Sequence, residues 1–510
     1  MTKQNLKRIL SLLMVAVLCF GLTACSNSSS EESEWSVWED VSYVTVSNDK
    51  DSDTENKDTA SKNTDKTSSK DNQTTTVSKK DLKGYTFTLM SPYLPSKLTS
   101  SCTGFEKLLF QRIEEVEKEY GCKIKLLTGS ETGVENLQPL ISAGKKVADV
   151  VEVIADNVLP LARANYIIPW DDVKGIDVNA DKWVKGYTSL ATIDNKHYGL
   201  QFMKPPEARM VVVFNKDLLK EKGIDADSLY TLAQNKQWTF DKLEEYATQA
   251  TTVVNGTNTT FGVGGHPLRV AMALIMGNNG RLVTYSGGKA KATFSDKAVI
   301  NATTYLNDLV NVQKVYDIPA ELKTQSLYGK LSFTYWDDAF LKGKTAFLIQ
   351  ESYVVNQDIK PAADFNYGIL PVPIGPDNKT GNYISSAGNA RIFAMTSTNA
   401  NNKDYEKSIA IFNALSTPSK GYEGNDWWEF DVKSEYFQKA SADKDLEMYK
   451  TSINTSGVDA GWRLLTLKES FLNNGVLGPI FWKNGQTVQA GINSIAGTFD
   501  KTIDSVFNKK

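Results

Sequence analysis

At 510 residues the chain is longer than one hydrophobic core usually serves, which predicts two lobes or domains. Its apolar fraction is ordinary for a globular protein, and a net charge of −3 argues against a nucleic-acid partner, which needs clustered Lys and Arg. Only two histidines are present, so His-based catalysis and a His-rich metal site are not expected. The composition therefore favours binding over chemistry, and we expect no metal and no cofactor.

The first 24 residues have the features of an export signal. A basic segment ends at Arg8 and is followed by a short apolar run over 9–22, which is too short for a stable transmembrane span. The run ends in Leu-Thr-Ala-Cys at 22–25, which resembles the lipobox of bacterial lipoprotein signals. The resemblance implies cleavage after residue 24 and acylation of Cys25. The alternative is an ordinary signal peptide with an incidental cysteine.

Residues 25–80 are rich in Ser, Thr, Asp, Asn and Lys. Such a tract cannot bury enough apolar surface to offset the entropy of ordering, so it predicts a disordered, flexible tether. An apolar patch from Trp35 to Val46 interrupts it. This patch is interpreted as a weak local cluster, with contact to the membrane surface or to a partner protein as the alternative.

From Lys83 onward strands and helices alternate, which predicts an α/β fold with a largely parallel sheet. Asn215 and Thr239 are predicted helix N-caps, and Gly121 is predicted to end the first helix. The predicted strands cover 85–89, 123–127, 149–154 and 209–214, and the predicted helices cover 105–120, 216–222 and 240–250.

Several segments, in order along nearly all of 82–508, resemble motifs of the extracellular solute-binding proteins of family 1, the maltose-binding-protein-like group. Each motif is weak alone, but their common order is specific. The segments are Ala148-Asp-Val-Val151, His197-Tyr-Gly-Leu200, the Phe-Asn-Lys-Asp run within 213–219, the Lys-Gly-Lys run within 341–347, Tyr367-Gly-Ile-Leu-Pro-Val-Pro373 and Phe481-Trp482.

The resemblance implies a two-lobed periplasmic-binding-protein fold of type II, with discontinuous lobes joined by a hinge. One lobe is expected to comprise 81–205 plus 374–416, and the other 206–373 plus 417–510. The resemblance also implies that the chain is not an enzyme, and that it captures a solute, expected to be a sugar, by hinge closure and delivers it to the permease subunits of an ABC importer. Together with the lipobox, this predicts a monomer anchored by lipid to the extracytoplasmic face of the bacterial cell membrane.

Position by position, the resemblance also predicts ligand-binding residues. Asp156 falls on an acid that hydrogen-bonds sugar hydroxyls, while Tyr353 and Trp482 fall on stacking aromatics. Glu207 and Arg209 lie beside another family acid, and Arg269 replaces a tyrosine. Tyr93 is added because it follows the first strand, where cleft residues collect at strand carboxyl ends. Trp462 is also included, with a purely structural role as the alternative. The full predicted set is Tyr93, Asp156, Glu207, Arg209, Arg269, Tyr353, Trp462 and Trp482.

Two other functions stay open at this point. A cleft in which Arg209, Arg269 and Arg391 cluster would favour an anionic or peptide solute. An exported glycoside hydrolase would require two carboxylates flanking the scissile bond. Cys102 and Cys122 flank the first helix, so either a disulfide or two free thiols is expected. The sequence does not name the sugar, its length or its linkage.

Overall fold

The computed structural model describes residues 82–100, 102, 104–129, 133–207, 209–319, 334–419, 422, 428–463, 475, 477–482 and 486–508, all of which belong to one compact unit, 72–510. Cys25, the proposed tether and the Trp35–Val46 patch lie outside these residues. The strands are β1 Thr86–Ser91, β2 Lys123–Thr128, β3 Val150–Ile154, β4 Ile167–Ile168, β5 Thr192–Ile193, β6 Lys196–His197, β7 Met210–Asn215, β8 Thr252–Val254, β9 Thr257–Gly264, β10 Val283–Ser286, β11 Lys289–Ala292, β12 Thr345–Glu351, β13 Tyr367–Pro371, β14 Ser385–Ser386, β15 Arg391–Thr396 and β16 Ser456–Gly457.

Helices follow most of the longer strands. In chain order they are α1 Gly104–Tyr120, α2 Val134–Ser142, α3 Ala155–Arg163, α4 Lys185–Thr188, α5 Lys216–Glu221, α6 Ser228–Gln234, α7 Phe240–Ala250, α8 Pro267–Gly277, α9 Lys297–Asn307, α10 Tyr335–Leu341, α11 Ser352–Val354, α12 Lys360–Ala362, α13 Ser397–Ala400, α14 Tyr405–Leu415, α15 Trp428–Tyr436, α16 Ala442–Asn454 and α17 Val488–Ile503. Short 3₁₀ or π segments lie at Trp170–Asp172, Ser189–Ala191, Asp308–Val312, Val355–Ile359, Gly478–Trp482 and Asp504–Asn508.

The predicted helix boundaries have visible causes. The side chain of Asn215 accepts the Leu218 N–H at 2.9 Å, and that of Thr239 accepts the Lys242 N–H at 3.4 Å, so both predicted N-caps are confirmed. Gly121 ends α1 with a φ of 65°, a conformation that glycine adopts without a Cβ clash.

Two five-stranded sheets organise the described residues into two lobes. The first sheet, in lobe 1, has the order β2-β1-β3-β15-β4, and the second, in lobe 2, has the order β13-β7-β12-β9-β8. Both sheets are mixed rather than largely parallel as expected. β15 runs antiparallel to β3 and β4, and β7 runs antiparallel to β12 and β13. β7 and β15 each enter their sheet after the chain has crossed from the other lobe. They are therefore not bound by the right-handed crossover connection that joins consecutive parallel strands, and they can run antiparallel to their neighbours.

Each lobe has its own core. In lobe 1 the ring of Phe412 on α14 stacks on Trp170 with centroids 4.8 Å apart and meets Phe393 of β15 edge-on at 6.2 Å, which packs α14 against the sheet. In lobe 2 every residue of β7, β12 and β13 is buried, as expected for strands covered on both faces. β3 is buried throughout as well, although it carries Glu152. A carboxyl group in such a strand requires polar partners, and these lie at the edge of a cavity described below.

The chain crosses between the lobes at places that differ in part from the expected ones. Phe202 packs in the lobe 1 core and Met210 in that of lobe 2, with Met203 between them at a φ of 49°. Residues 374–386, which the sequence analysis assigned to lobe 1, contact lobe 2: Asn378 donates to the Gly277 carbonyl, and Ser385 to the Met210 carbonyl. The return to lobe 1 therefore lies near 387–390, immediately before β15.

Two further expectations concern cysteines and membranes. Cys102 and Cys122 are both buried, and both are free thiols. Among the described helices none combines the length and the apolar composition that a bilayer crossing requires.

Candidate functional site

A cavity of about 490 Å³ lies where the two lobes meet, and both lobes supply its walls. Lobe 1 contributes the loop after β1 and the start of α1. Lobe 2 contributes the short helical segment after β12 and one face of α15. The crossing segment 203–207 forms part of the lining. The polar and aromatic side chains of the lining include Tyr93, Lys204, Glu207, Tyr353, Asn389, Arg391, Asp431 and Glu435.

Tyr93 is held at the cavity by a tight turn at the carboxyl end of β1. The Ser91 hydroxyl accepts the Tyr93 and Leu94 N–H groups, each at 2.9 Å, and donates to Glu152 at 2.5 Å. The guanidinium of Arg391 lies 4.2 Å from the centroid of the Tyr93 ring. At this distance a cation interacts favourably with the ring face, so β1 and β15 together place an aromatic ring and a cation in the cavity wall.

The crossing segment supplies a paired acid and base. Lys204 Nζ lies 2.5 Å from the Glu207 carboxylate, and the Tyr436 hydroxyl donates to the same carboxylate at 3.3 Å. Burial alone would raise the pKa of Glu207. The charge and hydrogen bond of Lys204, together with the charge of Arg391 and the hydrogen bond of Tyr436, hold the pKa below its ordinary value. Glu207 is therefore ionised at neutral pH and is available as a hydrogen-bond acceptor.

Tyr353 lines the cavity from lobe 2, and Arg269 lies behind it. Arg269 donates to the Tyr353 hydroxyl at 2.9 Å, to Gln350 at 2.5 Å, and forms an ion pair with Glu351 at 2.7 Å. Asn389 from the crossing near β15 donates to the other oxygen of Glu351 at 2.8 Å. Arg269 thus has its guanidinium committed to lobe 2, and it orients Tyr353 without lining the cavity itself.

Arg209 is fully buried and does not line the cavity. Its guanidinium donates to the carbonyls of Glu207 at 2.7 Å and of Gly186 at 2.8 Å, and it lies 5.4 Å from the centroid of the Tyr187 ring. The side chain therefore joins the crossing segment to lobe 1. Among the residues that the structure describes, the cationic groups lining the cavity are Lys204 and Arg391.

Asp156 belongs to a separate group that we call the buried acid cluster, consisting of Asp156, Glu351 and Asp459. Asp156, at the start of α3 in lobe 1, accepts the backbone N–H of Asp459 of lobe 2 at 3.3 Å. The Asp459 carboxylate accepts the N–H groups of Leu282, Val283 and Gly461. Burial, followed by the nearby charge of Asp459, raises the pKa of Asp156 to about 8.

The two predicted tryptophans have different positions. Trp462 is buried in the lobe 2 core and does not line the cavity. The side chain of Trp482 lies outside the described residues. Of the predicted set, the structure brings Tyr93, Glu207 and Tyr353 together in the cavity, and it places Arg209, Arg269 and Asp156 behind or beside it.

Sequence reasoning did not propose several residues of the cavity wall: Lys204, Asn389, Asp431 and Glu435. Asp431 and Glu435 are four residues apart on α15 and so share one helical face, but the same spacing is common on solvated helices. Lys204 and Asn389 lie in the crossings between the lobes, and the predicted lobe boundary between 205 and 206 pointed to the first of these crossings only.

The two lobes with a polar cavity between them define a ligand-binding protein. The model of the bacterial extracellular solute-binding proteins matches residues 103–418, and the chain belongs to this family. The structural neighbours have the fold of type II periplasmic-binding proteins. The comparison with curated protein sequences finds no match.

Three solved structures illustrate the fold. The ABC substrate-binding protein Lmo0181 of Listeria monocytogenes, in complex with cycloalternan, is 16% identical with a TM-score of 0.54, covering 84% of this chain and 100% of that one. The GacH receptor of Streptomyces glaucescens, studied with acarbose, is 17% identical with a TM-score of 0.55, covering 84% and 99%. UgpB of Mycobacterium tuberculosis, with glycerophosphocholine, is 14% identical with a TM-score of 0.56, covering 83% and 98%.

Proposed function

We propose that this protein captures a carbohydrate, in particular an oligosaccharide, in the cavity between its lobes and delivers it to an ABC importer. The observation that carries the proposal is the composition of the cavity wall. Tyr93 and Tyr353 provide aromatic rings from opposite lobes, and carboxylates and amides lie among them. Rings suit the apolar faces of pyranoses, and the polar groups suit their hydroxyls.

Of the three arginines that would favour an anionic solute, only Arg391 lines the cavity. Arg209 and Arg269 are committed to protein partners, and Lys204 is paired with Glu207. The cavity wall also contains Asp431 and Glu435. An anion in this site would face more carboxylates than unpaired cations, and like charges at close range are unfavourable.

Hinge closure follows from the same arrangement. A ligand that contacts Tyr93 of lobe 1 and Tyr353 of lobe 2 binds the closed state more tightly than an open one and shifts the population toward closure. X-ray scattering should therefore give a smaller radius of gyration with saturating ligand. Identical profiles with and without ligand would contradict closure.

The ligand class is tested by a thermal-shift screen of neutral oligosaccharides, uronic acids and glycerophosphodiesters, followed by calorimetry. A ligand specific to the native state raises the melting temperature, by an amount that grows with its concentration relative to the Kd. We expect neutral oligosaccharides to raise it and to be recovered unchanged after prolonged incubation. Stabilisation by the anionic compounds alone, or turnover of a sugar, would overturn the proposal.

We also propose that Cys25 carries the lipid anchor. Its support is the sequence at 22–25 and the basic and apolar segments before it. Acyl chains anchor a protein because each buried methylene contributes about 0.8 kcal/mol. Cys25→Ser should release the protein from the membrane fraction into the medium, and a variant that stays in the membrane fraction would contradict the anchor.

A further inference from the structure

Strand β3 carries a buried carboxyl group just below the cavity wall. Ile154, the last residue of β3, lines the cavity, and Arg391, its partner on β15, lines it as well. Two residues before Ile154 comes Glu152, which therefore lies on the same face of the strand. Its side chain is fully buried. Burying an ionisable group is costly unless it forms hydrogen bonds, so the contacts of Glu152 indicate what it does.

The Ser91 hydroxyl links Glu152 to the turn that carries Tyr93. It accepts two backbone N–H groups of this turn, including that of Tyr93, and donates to Glu152 at 2.5 Å. A hydroxyl has one hydrogen and two lone pairs, so the two N–H groups occupy its acceptor positions and leave its hydrogen for Glu152. The register of β1 and β3 brings the two side chains together, since Met90 pairs with Val151 immediately before them. Glu152 is thus the acceptor that fixes the hydroxyl on which the turn is built.

The surroundings of Glu152 favour the neutral acid. Burial raises the pKa of Glu152 above its ordinary value, although the charges of Lys204 and Arg391 and the hydrogen bond from Ser91 act in the opposite direction. The oxygen of a neutral carboxyl group still accepts the Ser91 hydrogen. A glutamine keeps this oxygen at the same distance from the backbone, whereas a leucine fills a similar space without an acceptor. Replacement of Glu152 by these two residues therefore separates its hydrogen bond from its packing.

We propose that Glu152 is a positioning residue of the ligand site: through the Ser91 hydroxyl it holds Tyr93 where the ring lines the cavity beside Arg391. The Arg391 guanidinium, 4.2 Å from the ring centroid, supports the ring on one side. A side chain that is ordered before the ligand arrives loses less conformational freedom on binding, which raises the affinity. This inference rests on the proposed function and extends it from the cavity wall to an acid that does not touch the ligand.

The experiment is a double-mutant cycle that tests whether Glu152 acts through Tyr93. Calorimetry is carried out on the mature protein with maltotriose, mannotriose and cellotriose, and with any neutral oligosaccharide that the thermal-shift screen identifies. Glu152→Leu should weaken binding by about tenfold, the size of a lost aromatic contact. In the Tyr93→Ala background the same change should weaken binding by less than about twofold, because the ring that Glu152 positions is gone. Glu152→Gln, which keeps the acceptor, should restore the affinity.

Asp149→Asn is the matched control for a loss of stability without a loss of positioning. Asp149 is also a fully buried acid and immediately precedes β3. Its carboxylate accepts hydrogen bonds from Tyr85 and Thr88, which lie outside the cavity wall. The variant should lower the free energy of unfolding, measured by urea denaturation, and leave the sugar affinity unchanged.

The remaining outcomes separate this inference from the proposed function. If Glu152→Leu binds as the wild type does, or weakens binding equally in both backgrounds, Glu152 does not position Tyr93 and the proposed function stands. If Glu152→Gln loses as much affinity as Glu152→Leu, the hydrogen bond with Ser91 is not what Glu152 supplies, and the positioning role is wrong. Should Glu152→Leu not fold, Ser91→Ala removes the same link from the other side and takes its place in the cycle, with the same expected losses. If the wild type binds none of these sugars, both proposals fail.

Discussion

The cavity and the buried acid cluster both lie where the lobes meet, and both contain several charged side chains, but they use them differently. In the cavity Asp431 and Glu435 line an open space, and Lys204 and Glu207 are paired with each other in its wall. In the cluster Asp156 is bound by the Asp459 N–H, and Glu351 by Arg269 and Asn389. Charged residues at a cleft are therefore no guide to ligand contact until their protein partners are known. Where protein partners bind them, as in the cluster, they join the lobes and support the cavity wall.

The largest effect should come from breaking the ion pair behind the cavity. Arg269→Met leaves the Glu351 carboxylate, whose side chain is 2% exposed, without its cation. Removing one partner of a buried pair typically costs about 3–5 kcal/mol, because the remaining charge is desolvated and unpaired. We expect a loss of this size in the free energy of unfolding, measured by urea denaturation without ligand.

The control for this prediction is Lys185→Met, which removes the exposed pair of Lys185 with Asp181. It should leave the urea midpoint essentially unchanged, since exposed pairs contribute little. An equal loss of unfolding free energy in both variants would show that the buried ion pair of Arg269 stabilises the fold no more than an exposed pair does. The contrast between the cavity and the buried acid cluster would then be wrong.

The second prediction concerns pH and the cluster. Burial and the charge of Asp459 raise the pKa of Asp156 from 3.8 to about 8, so the folded state holds a proton that the unfolded state has released. The contribution of the protonated Asp156 to the free energy of unfolding is fully present below about pH 4 and is lost as the pH rises toward 8. Arg463 and Glu351 also act on Asp156, with opposite signs. Asp156→Asn, which resembles the protonated form, should flatten the decline in unfolding free energy across this range.

Asp337→Asn serves as the comparison for the pH prediction. Burial raises the pKa of Asp337 to about 6, and it lies outside the cluster, where Gln350 donates to it. Its replacement should remove a decline only between about pH 4 and 6. Two results for Asp156→Asn would contradict the prediction. One is a dependence of unfolding free energy on pH equal to that of the wild type, and the other is a loss of sugar affinity at every pH. Either would show that Asp156 does not act by holding a proton at the contact between the lobes.

The third prediction concerns the cavity itself. Tyr93→Ala should weaken sugar binding by at least about tenfold, equal to about 1.4 kcal/mol, because a stacking surface is lost. The free energy of unfolding should change little, since Tyr93 is partly exposed. Calorimetry and urea denaturation measure the two quantities separately. Tyr246→Ala, a partly exposed tyrosine outside the cavity, is the matched control. If Tyr93→Ala lowered the free energy of unfolding but left sugar affinity unchanged, the ring of Tyr93 would have a structural role and would not contact the ligand.

The smallest effect should come from Tyr353, which belongs to both regions. Its ring lines the cavity, while its hydroxyl accepts a hydrogen bond from Arg269 at 2.9 Å. Tyr353→Phe keeps the ring and removes the hydroxyl, so we expect a loss of about 1 kcal/mol in stability and less than a twofold change in sugar affinity. A large loss of affinity in this variant would mean that the hydroxyl contacts the ligand.

The local structure and the family were determined by the sequence itself. Asn215 and Thr239 begin helices because their side chains satisfy N–H groups three residues ahead, an interaction that needs no distant partner. The ordered motifs over 148–482 predicted the two-lobed fold, and the family match over 103–418 confirms it. Both results depend on residues that are close in sequence or on their order along the chain.

Only the tertiary structure decided which charged side chains line the cavity. Arg209 and Arg391 look alike in sequence, yet the first is bound by the carbonyls of Gly186 and Glu207 and the second faces Tyr93. Asp156 and Asp459 are 303 residues apart and meet at the contact between the lobes. A buried charge needs several hydrogen bonds at once, and residues close in sequence do not supply them all. Whether a polar side chain is bound by protein groups or is open to a ligand therefore depends on partners from other segments of the chain.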